Sequence, residues 1–272
     1  MFVRALSKFK PVRLLNNFNR KISFQYFSDP HVDLLEKNKL SSIISSIEPK
    51  SENLIIAGDL GNPEHENCNL FLKEVRPKFK NIFFVPGNHD FDCGPMMEEN
   101  KVKKYEPIIK NLCLNNNITY LNNNIHEINK DVIIAGTTLW SLPIYHNRFT
   151  YDSTDSYRKH VVEYYKNVEW ITAIRKMYNN KKIIMVTHFV PTFKLIEDKY
   201  AKLGLQKTSY FASDLDHLIK NPICAWICGH THSKMNISIN NIYCGINVPP
   251  SIKDDATLSK NKITTKVFYV ID

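Results

Sequence analysis

No stretch of about 18 consecutive apolar residues occurs in this 272-residue chain, which excludes a transmembrane helix and leaves no membrane partner. No Cys-x-x-Cys pair occurs among the six cysteines, and their spacing forms no small-domain disulfide framework. Cys224 and Cys228 are four apart, but both lie in an apolar, strand-like run. They read as buried reduced thiols, which predicts a soluble intracellular protein, cytoplasmic by preference. Internal repeats are absent. Acid is missing from the first 28 residues, which carry six basic side chains (Arg4, Lys8, Lys10, Arg13, Arg20, Lys21). The net charge of +9 is therefore concentrated at the start, and the remainder sets 30 basic against 27 acidic residues. A body so nearly balanced disfavours nucleic acid as a partner of the core.

What is present suits a folded chain. Hydrophobic residues make up 43% and aromatics 11%, enough for a sizeable core. The division is a basic extension over residues 1–21 and one domain over 22–272. The acid-poor, arginine-bearing extension has two readings. One is a mitochondrial presequence. The other is a surface segment packed on the body, favoured by Pro11, which interrupts any long amphipathic helix, and by the few serines.

Strands and helices alternate through the first part of the chain. Ile22 to Ser28 reads as a strand, Leu34 to Ile47 as a helix, Asn53 to Ala57 as a buried strand and Cys68 to Val75 as a helix. Ile82 to Val85 is a further buried strand. Lys101 to Leu114 follows as a helix interrupted near Pro107. Short strands come next at 118–121, 125–128 and 132–135, separated by asparagine-rich turns. A polar insert covers 142–156, and an amphipathic helix covers Ser156 to Tyr178. Lys182 to Val186 is a buried strand, 192–212 a long connection, and Ser213 the cap of a short helix. Ile223 to Cys228 is the last long buried strand. Shorter ones follow at 236–239, 242–246 and 263–270.

Five of these strands end in the same kind of punctuation. The endings are Asp29-Pro30-His31, Gly58-Asp59, Gly87-Asn88-His89-Asp90, Thr187-His188 and Gly229-His230-Thr231-His232. Open α/β sheets place ligands beyond the carboxyl ends of their strands. One polar strand end is ordinary turn chemistry; five rich in imidazole and carboxylate point to metal. Without thiolate, the ligand mix suits Mn, Fe, Zn, Ni or Co in a catalytic site better than structural zinc. The donors outnumber the needs of one ion, and two ions about 3.5 to 4 Å apart would use most of them.

This order of motifs resembles the calcineurin-like metallophosphoesterases, from Ile22 onward. Finer features resemble a small branch loosely labelled Ser/Thr phosphatase-like: Gly136 to Ser141, Thr187 to Pro191, Phe211 to Leu215 and Trp226 to His230. That branch has glutamate where this chain has Asp33, and its late Asn-Pro-x-Gly-Tyr-like stretch is replaced by Asn247-Val248-Pro249-Pro250. The resemblance implies a four-layer α/β/β/α sandwich. It implies that Asp29, His31 and His232 hold one divalent ion, that Asn88, His188 and His230 hold another, and that Asp59 bridges them. His89 would face the leaving group as the catalytic acid.

The implied reaction is hydrolysis of a phosphomonoester or phosphodiester by a metal-bridging hydroxide, with His89 protonating the departing alkoxide. Trp140 and Arg148 are candidates for the substrate rim, with Arg148 taking a phosphate or carboxylate. Asp33 reads as support near the metals or helix-start chemistry, and Asp90 as an orienting or capping residue. Tyr210 and Phe211 read as packing residues. Two other functions fit the fold: a protein-binding scaffold, which predicts lost ligands, and a nuclease, which predicts a basic face.

Overall fold

The computed structural model describes residues 21–144, 154–249 and 263–271. The predicted extension thus lies outside the described residues except for Lys21, which opens the first strand. Arg148 also lies outside them.

The apolar runs become strands buried on both sides. The first sheet contains β1 (Lys21–Phe27), β2 (Asn53–Ala57), β3 (Asn81–Val85), β4 (Thr119–Tyr120) and β11 (Lys266–Ile271), in the order β11-β1-β2-β3-β4. The second contains β5 (Asn124–Glu127), β6 (Val132–Thr137), β7 (Lys182–Thr187), β8 (Ile223–Cys228), β9 (Lys234–Ile239) and β10 (Ile242–Asn247), in the order β5-β6-β7-β8-β10-β9. β1, β2 and β3 pair in parallel, as do β6, β7 and β8.

Alternation along each strand sorts its side chains between two cores. In β2, Ile55 and Ala57 join Phe24, Phe83, Ile134, Ile184 and Ile227 between the sheets. Leu54 and Ile56 face the other way and pack with helix residues. Those helices are α1 (Lys37–Ser46), α2 (Glu66–Val75) and α3 (Glu99–Asn115). In β7, Ile184 and Val186 face the inter-sheet core. Ile183 and Met185 meet Tyr164, Ile171 and Ile174 of α4 (Thr154–Met177). The result is one domain of two sheets flanked by helices, the predicted four layers.

Several local expectations are corrected. α1 begins at Lys37, because Val32–Leu34 forms a separate 3-10 turn whose Leu35 cap is extended. α3 runs unbroken through Pro107. Tyr105, Ile109 and Cys113 bury one stripe of it against the first sheet, and that packing outweighs the lost backbone bond. Ser213 caps no helix; its hydroxyl accepts from the Leu142 N–H at 3.3 Å, and the helical turn lies at Asp216–Leu218. The 192–212 connection holds a 3-10 turn and two one-turn helices, α5 (Asp198–Ala201) and α6 (Leu205–Thr208). All six cysteines are free thiols. No helix among the described residues is long and apolar enough to cross a membrane.

Candidate metal centre

Parallel pairing brings the ends of β1, β2 and β3 together, and likewise β7 and β8. Backbone bonds then lace the loops across one edge. Asp29 N–H donates to Gly58 O at 2.9 Å, His31 N–H to Asp59 O at 3.1 Å and Gly229 N–H to His188 O at 2.9 Å. Asp29 also accepts the His230 N–H at 3.0 Å, which ties the first sheet's loop to the second's.

The predicted donors fall into two groups. Asp29, His31 and His232 form one, and Asp59, His188 and His230 the other, with the donor atoms of each within 4.8 Å of one another. Asp59 lies between them: its Oδ2 is 3.3 Å from His188 Nε2 and 3.8 Å from His31 Nε2. His31 Nε2 and His232 Nε2 are 3.2 Å apart.

Asn88 joins the second group in a telling way. Its Nδ2 donates to Cys93 O at 3.0 Å, so Oδ1 is the atom turned inward. His188 Nδ1 lies 2.9 Å from Ala57 O and must donate to it, which leaves Nε2 as the nitrogen that faces the group. Asn88 Oδ1 and His188 Nε2 then meet at 3.1 Å, and His230 Nδ1 lies 3.2 Å from the same nitrogen. Acceptors converging in a buried place need a positive charge between them, a proton or a cation. The donor set therefore fits a divalent ion.

Electrostatics agree. Burial alone would lower the His188 pKa, but the Asp59 and Asp29 carboxylates outweigh it and hold it up at about 9. Burial alone would raise Asp59, but His188, His31 and His89 hold it well below the usual carboxylate range. Burial pushes His31 and His230 down. In the metal-free chain the proton on His188 occupies the place where a cation would go.

The sign of the pH dependence follows. A histidine whose pKa is raised on folding contributes stability that is complete below its unfolded value near 6.5. That contribution is lost as pH rises through about 9. His31 and His230, with lowered values, act below that window. Metal-free protein should thus lose thermal stability between roughly pH 6.5 and 9, and added Mn²⁺ should restore it with proton release. Thermal melts and calorimetry in buffers of different ionisation enthalpy check this; a flat profile for the metal-free protein would refute it.

Close approach demands glycine here. A Cβ on Gly87 would lie 2.1 Å from Asp59 Oδ1, and one on Gly58 2.2 Å from His188 Nδ1. Strain is stored as well: Asp29, His31, Asp59, His230 and His232 all have positive φ, a costly region for residues other than glycine.

His89 holds its backbone N–H on Asp59 Oδ1 at 2.9 Å, while its exposed ring lies 5.0 Å from that of His31. Asp90 is buried and accepts three backbone N–H groups, from Asp59 (2.9 Å), Gly61 (3.1 Å) and Gly87 (2.7 Å). It fastens the β2 loop to the β3 loop. Asp33 lies against Gly61 in the 3-10 turn after His31, not among the donor atoms. Trp140 is 3% exposed and packs on Phe91, Phe189 and His160. Phe211 lies 5.6 Å from the His230 ring.

Of two further positioning residues, His160 had no sequence signal, and Asn247 was visible only as the start of the altered late motif. His160 is fully buried on α4, accepts from Met97 N–H at 2.9 Å through Nδ1 and donates from Nε2 to Ser141 O at 2.7 Å. Burial keeps it neutral, with a pKa near 4. Asn247 donates to Tyr26 O at 3.0 Å and Thr264 O at 2.6 Å, and its carbonyl accepts the Ser28 N–H. It thereby fixes the end of β1 beside Asp29.

This fold and donor set define a metal-dependent phosphoric ester hydrolase. The chain belongs to the calcineurin-like phosphoesterase family, whose sequence profile matches residues 24–234. The uncharacterized protein L509 of Acanthamoeba polyphaga mimivirus is 27% identical over 259 residues, 82% of this chain and 89% of that protein. The phosphopantetheinyl hydrolase of Mycobacterium tuberculosis shares the fold with a TM-score of 0.60 at 16% identity, over 87% of this chain and 92% of that one. The TT1561 protein of Thermus thermophilus does so at 0.56 and 14%, over 93% and 99%.

Proposed function

We propose that this phosphoesterase works through a two-ion centre and hydrolyses a phosphomonoester or phosphodiester. Asp29, His31 and His232 would hold one ion; Asn88, His188 and His230 the other; Asp59 both. The observation that carries this reading is the convergence of His188 Nε2, Asn88 Oδ1 and His230 Nδ1 in a buried place, with Asp59 placed between the two groups. Divalent ions held there would acidify water and neutralise phosphoryl charge.

The chain's own residues supply the rest. Asp59 takes the His89 backbone N–H on Oδ1, so the residue that would span the groups also places His89. The His89 ring, exposed at the mouth beside His31, is free to protonate a leaving alkoxide. Asp90 holds the Asp59 and Gly87 backbones and so fixes the distance between the two loops.

A panel of p-nitrophenyl phosphate, bis-p-nitrophenyl phosphate and cyclic nucleotides, each with Mn, Ni, Zn and Mg, tests the reading and separates monoester from diester preference. No turnover of any ester with any metal would overturn it and favour a protein-binding scaffold. His89→Ala should retain both ions by elemental analysis while turnover of a poor-leaving-group ester falls roughly 10²–10⁴-fold. Unchanged turnover would sink the role given to His89.

A further inference from the structure

A slot of about 80 Å³ lies beside the second donor group. Tyr200, Phe211, His230 and Thr231 line it, so one of its walls is itself a candidate metal ligand. Tyr200 and Phe211 are half-buried, and the slot opens to solvent between them. An enclosed cavity of this size would hold only a few waters. Open on one side, it lets a single ring lodge edge-first and leaves no room for a fused ring system.

The wall is aromatic and fixed. The Phe211 ring lies 5.6 Å from the His230 ring, tilted by 46°, and 6.3 Å from the Tyr200 ring, tilted by 55°. Phe189 also approaches His230, at 4.1 Å, but it is fully buried and belongs to the core under the first sheet. Phe211 belongs to no hydrophobic core among the described residues. Its aromatic face is therefore available at the mouth of the centre. Its backbone is tied down: Phe211 O accepts the Val190 N–H at 3.2 Å, and Ser213 N–H donates to Val190 O at 3.0 Å. Beside it, the Ser141 hydroxyl donates to Tyr210 O at 3.0 Å. The segment is thus fastened to the loops after β6 and β7, and a ring bound there meets a surface that needs little ordering.

His89 and the slot belong to different donor groups. The His89 ring lies 5.0 Å from that of His31, in the first group, whereas the slot is walled by His230, in the second. A leaving group protonated by His89 lies on the His31 side, so the slot takes what stays on phosphorus. A monoester has a single organic group, and that group leaves. A diester has a second. We propose that the substrate is a phosphodiester whose retained ester group carries a single planar ring, and that this ring lies in the slot against Phe211 and Tyr200. This rests on the two-ion reading and names a substrate class for it. Aromatic faces attract a planar ring by offset or edge-on contact beyond the gain from area alone.

Turnover of phenyl p-nitrophenyl phosphate, methyl p-nitrophenyl phosphate and p-nitrophenyl phosphate by the metal-loaded full chain tests the proposal. All release p-nitrophenolate, and only the retained group changes. Phe211→Leu keeps apolar bulk and removes the flat face. It should lower the phenyl-to-methyl ratio of kcat/KM roughly three- to tenfold from the parent value, a comparison in which intrinsic reactivity cancels. Tyr200→Leu should lower it in the same direction. Turnover of p-nitrophenyl phosphate, which retains no organic group, should fall less than that of the phenyl diester. Calorimetric titration should show phenylphosphonate binding more tightly than methylphosphonate in the parent, with the difference reduced in Phe211→Leu. Turnover with an unchanged phenyl-to-methyl ratio in Phe211→Leu would overturn the slot and leave the two-ion reading standing. Equal losses for the phenyl diester and p-nitrophenyl phosphate would overturn it too, since the ring in the slot would then be the leaving group. No turnover of any ester with any metal would overturn the two-ion reading and this proposal with it.

Discussion

Asp90→Ala should destabilise the protein on the order of 3–6 kcal/mol, because three buried backbone N–H groups lose their acceptor at once. Each unsatisfied group costs about 1–3 kcal/mol, and neighbouring losses are less than additive. The thermal midpoint should fall by about 10–20 °C. The bound-metal content should fall too, since the Asp59 backbone is among the three groups released. Asp90→Asn keeps acceptor oxygen in place and should lose less. A midpoint within about 2–3 °C of the parent would show that the loops hold without this carboxylate.

Gly87→Ala should remove activity more completely than most changes to a metal ligand. The added methyl would lie 2.1 Å from Asp59 Oδ1, 2.7 Å from Asp59 N and 2.7 Å from His188 Cε1. Two of those neighbours are side chains that the laced loops hold in place, and the third is backbone. Something must move, and the residue between the two donor groups is the first in the way. Turnover should drop at least roughly 10²-fold, the scale set by angstrom-level misplacement at a reacting centre. Metal stoichiometry measured on the same sample should fall below that of the parent. Normal stoichiometry with normal turnover would mean that the β3 loop can retreat without disturbing Asp59.

Much of the fold was legible because apolar runs of five or six residues, bounded by Gly, Pro, Asp or His, leave little choice but a buried parallel strand. The parts that were not legible depend on tertiary context. Pro107 interrupts a helix in isolation, but Tyr105, Ile109 and Cys113 pack on the sheet and carry α3 through it. Ser213 has a capping side chain, yet the nearest unsatisfied donor belongs to Leu142, 71 residues away. At the candidate centre, motif order placed the donors at one edge. Their grouping was implied by the resemblance, whereas the left-handed backbone at five of them and the hydrogen bond that fixes His188 Nδ1 as a donor required coordinates. Asp90 was visible next to His89, but its three acceptor contacts come from two different loops. His160 lay inside a helix with nothing around it in sequence to mark it. Trp140 was visible as a candidate rim residue, but its packing on Phe91, Phe189 and His160 was not.

The pairing of His31 with His232 joins positions 201 residues apart. During synthesis the first group of donors lacks its third member until His232 has left the ribosome, long after Asp29 and His31 have emerged. The second group likewise needs His230, although Asp59 emerges early. Nascent fragments therefore present scattered single donors, too few to hold a cation tightly. Metal uptake would thereby wait until both sheets have met, and a loaded centre would mark a domain whose two sheets are folded together.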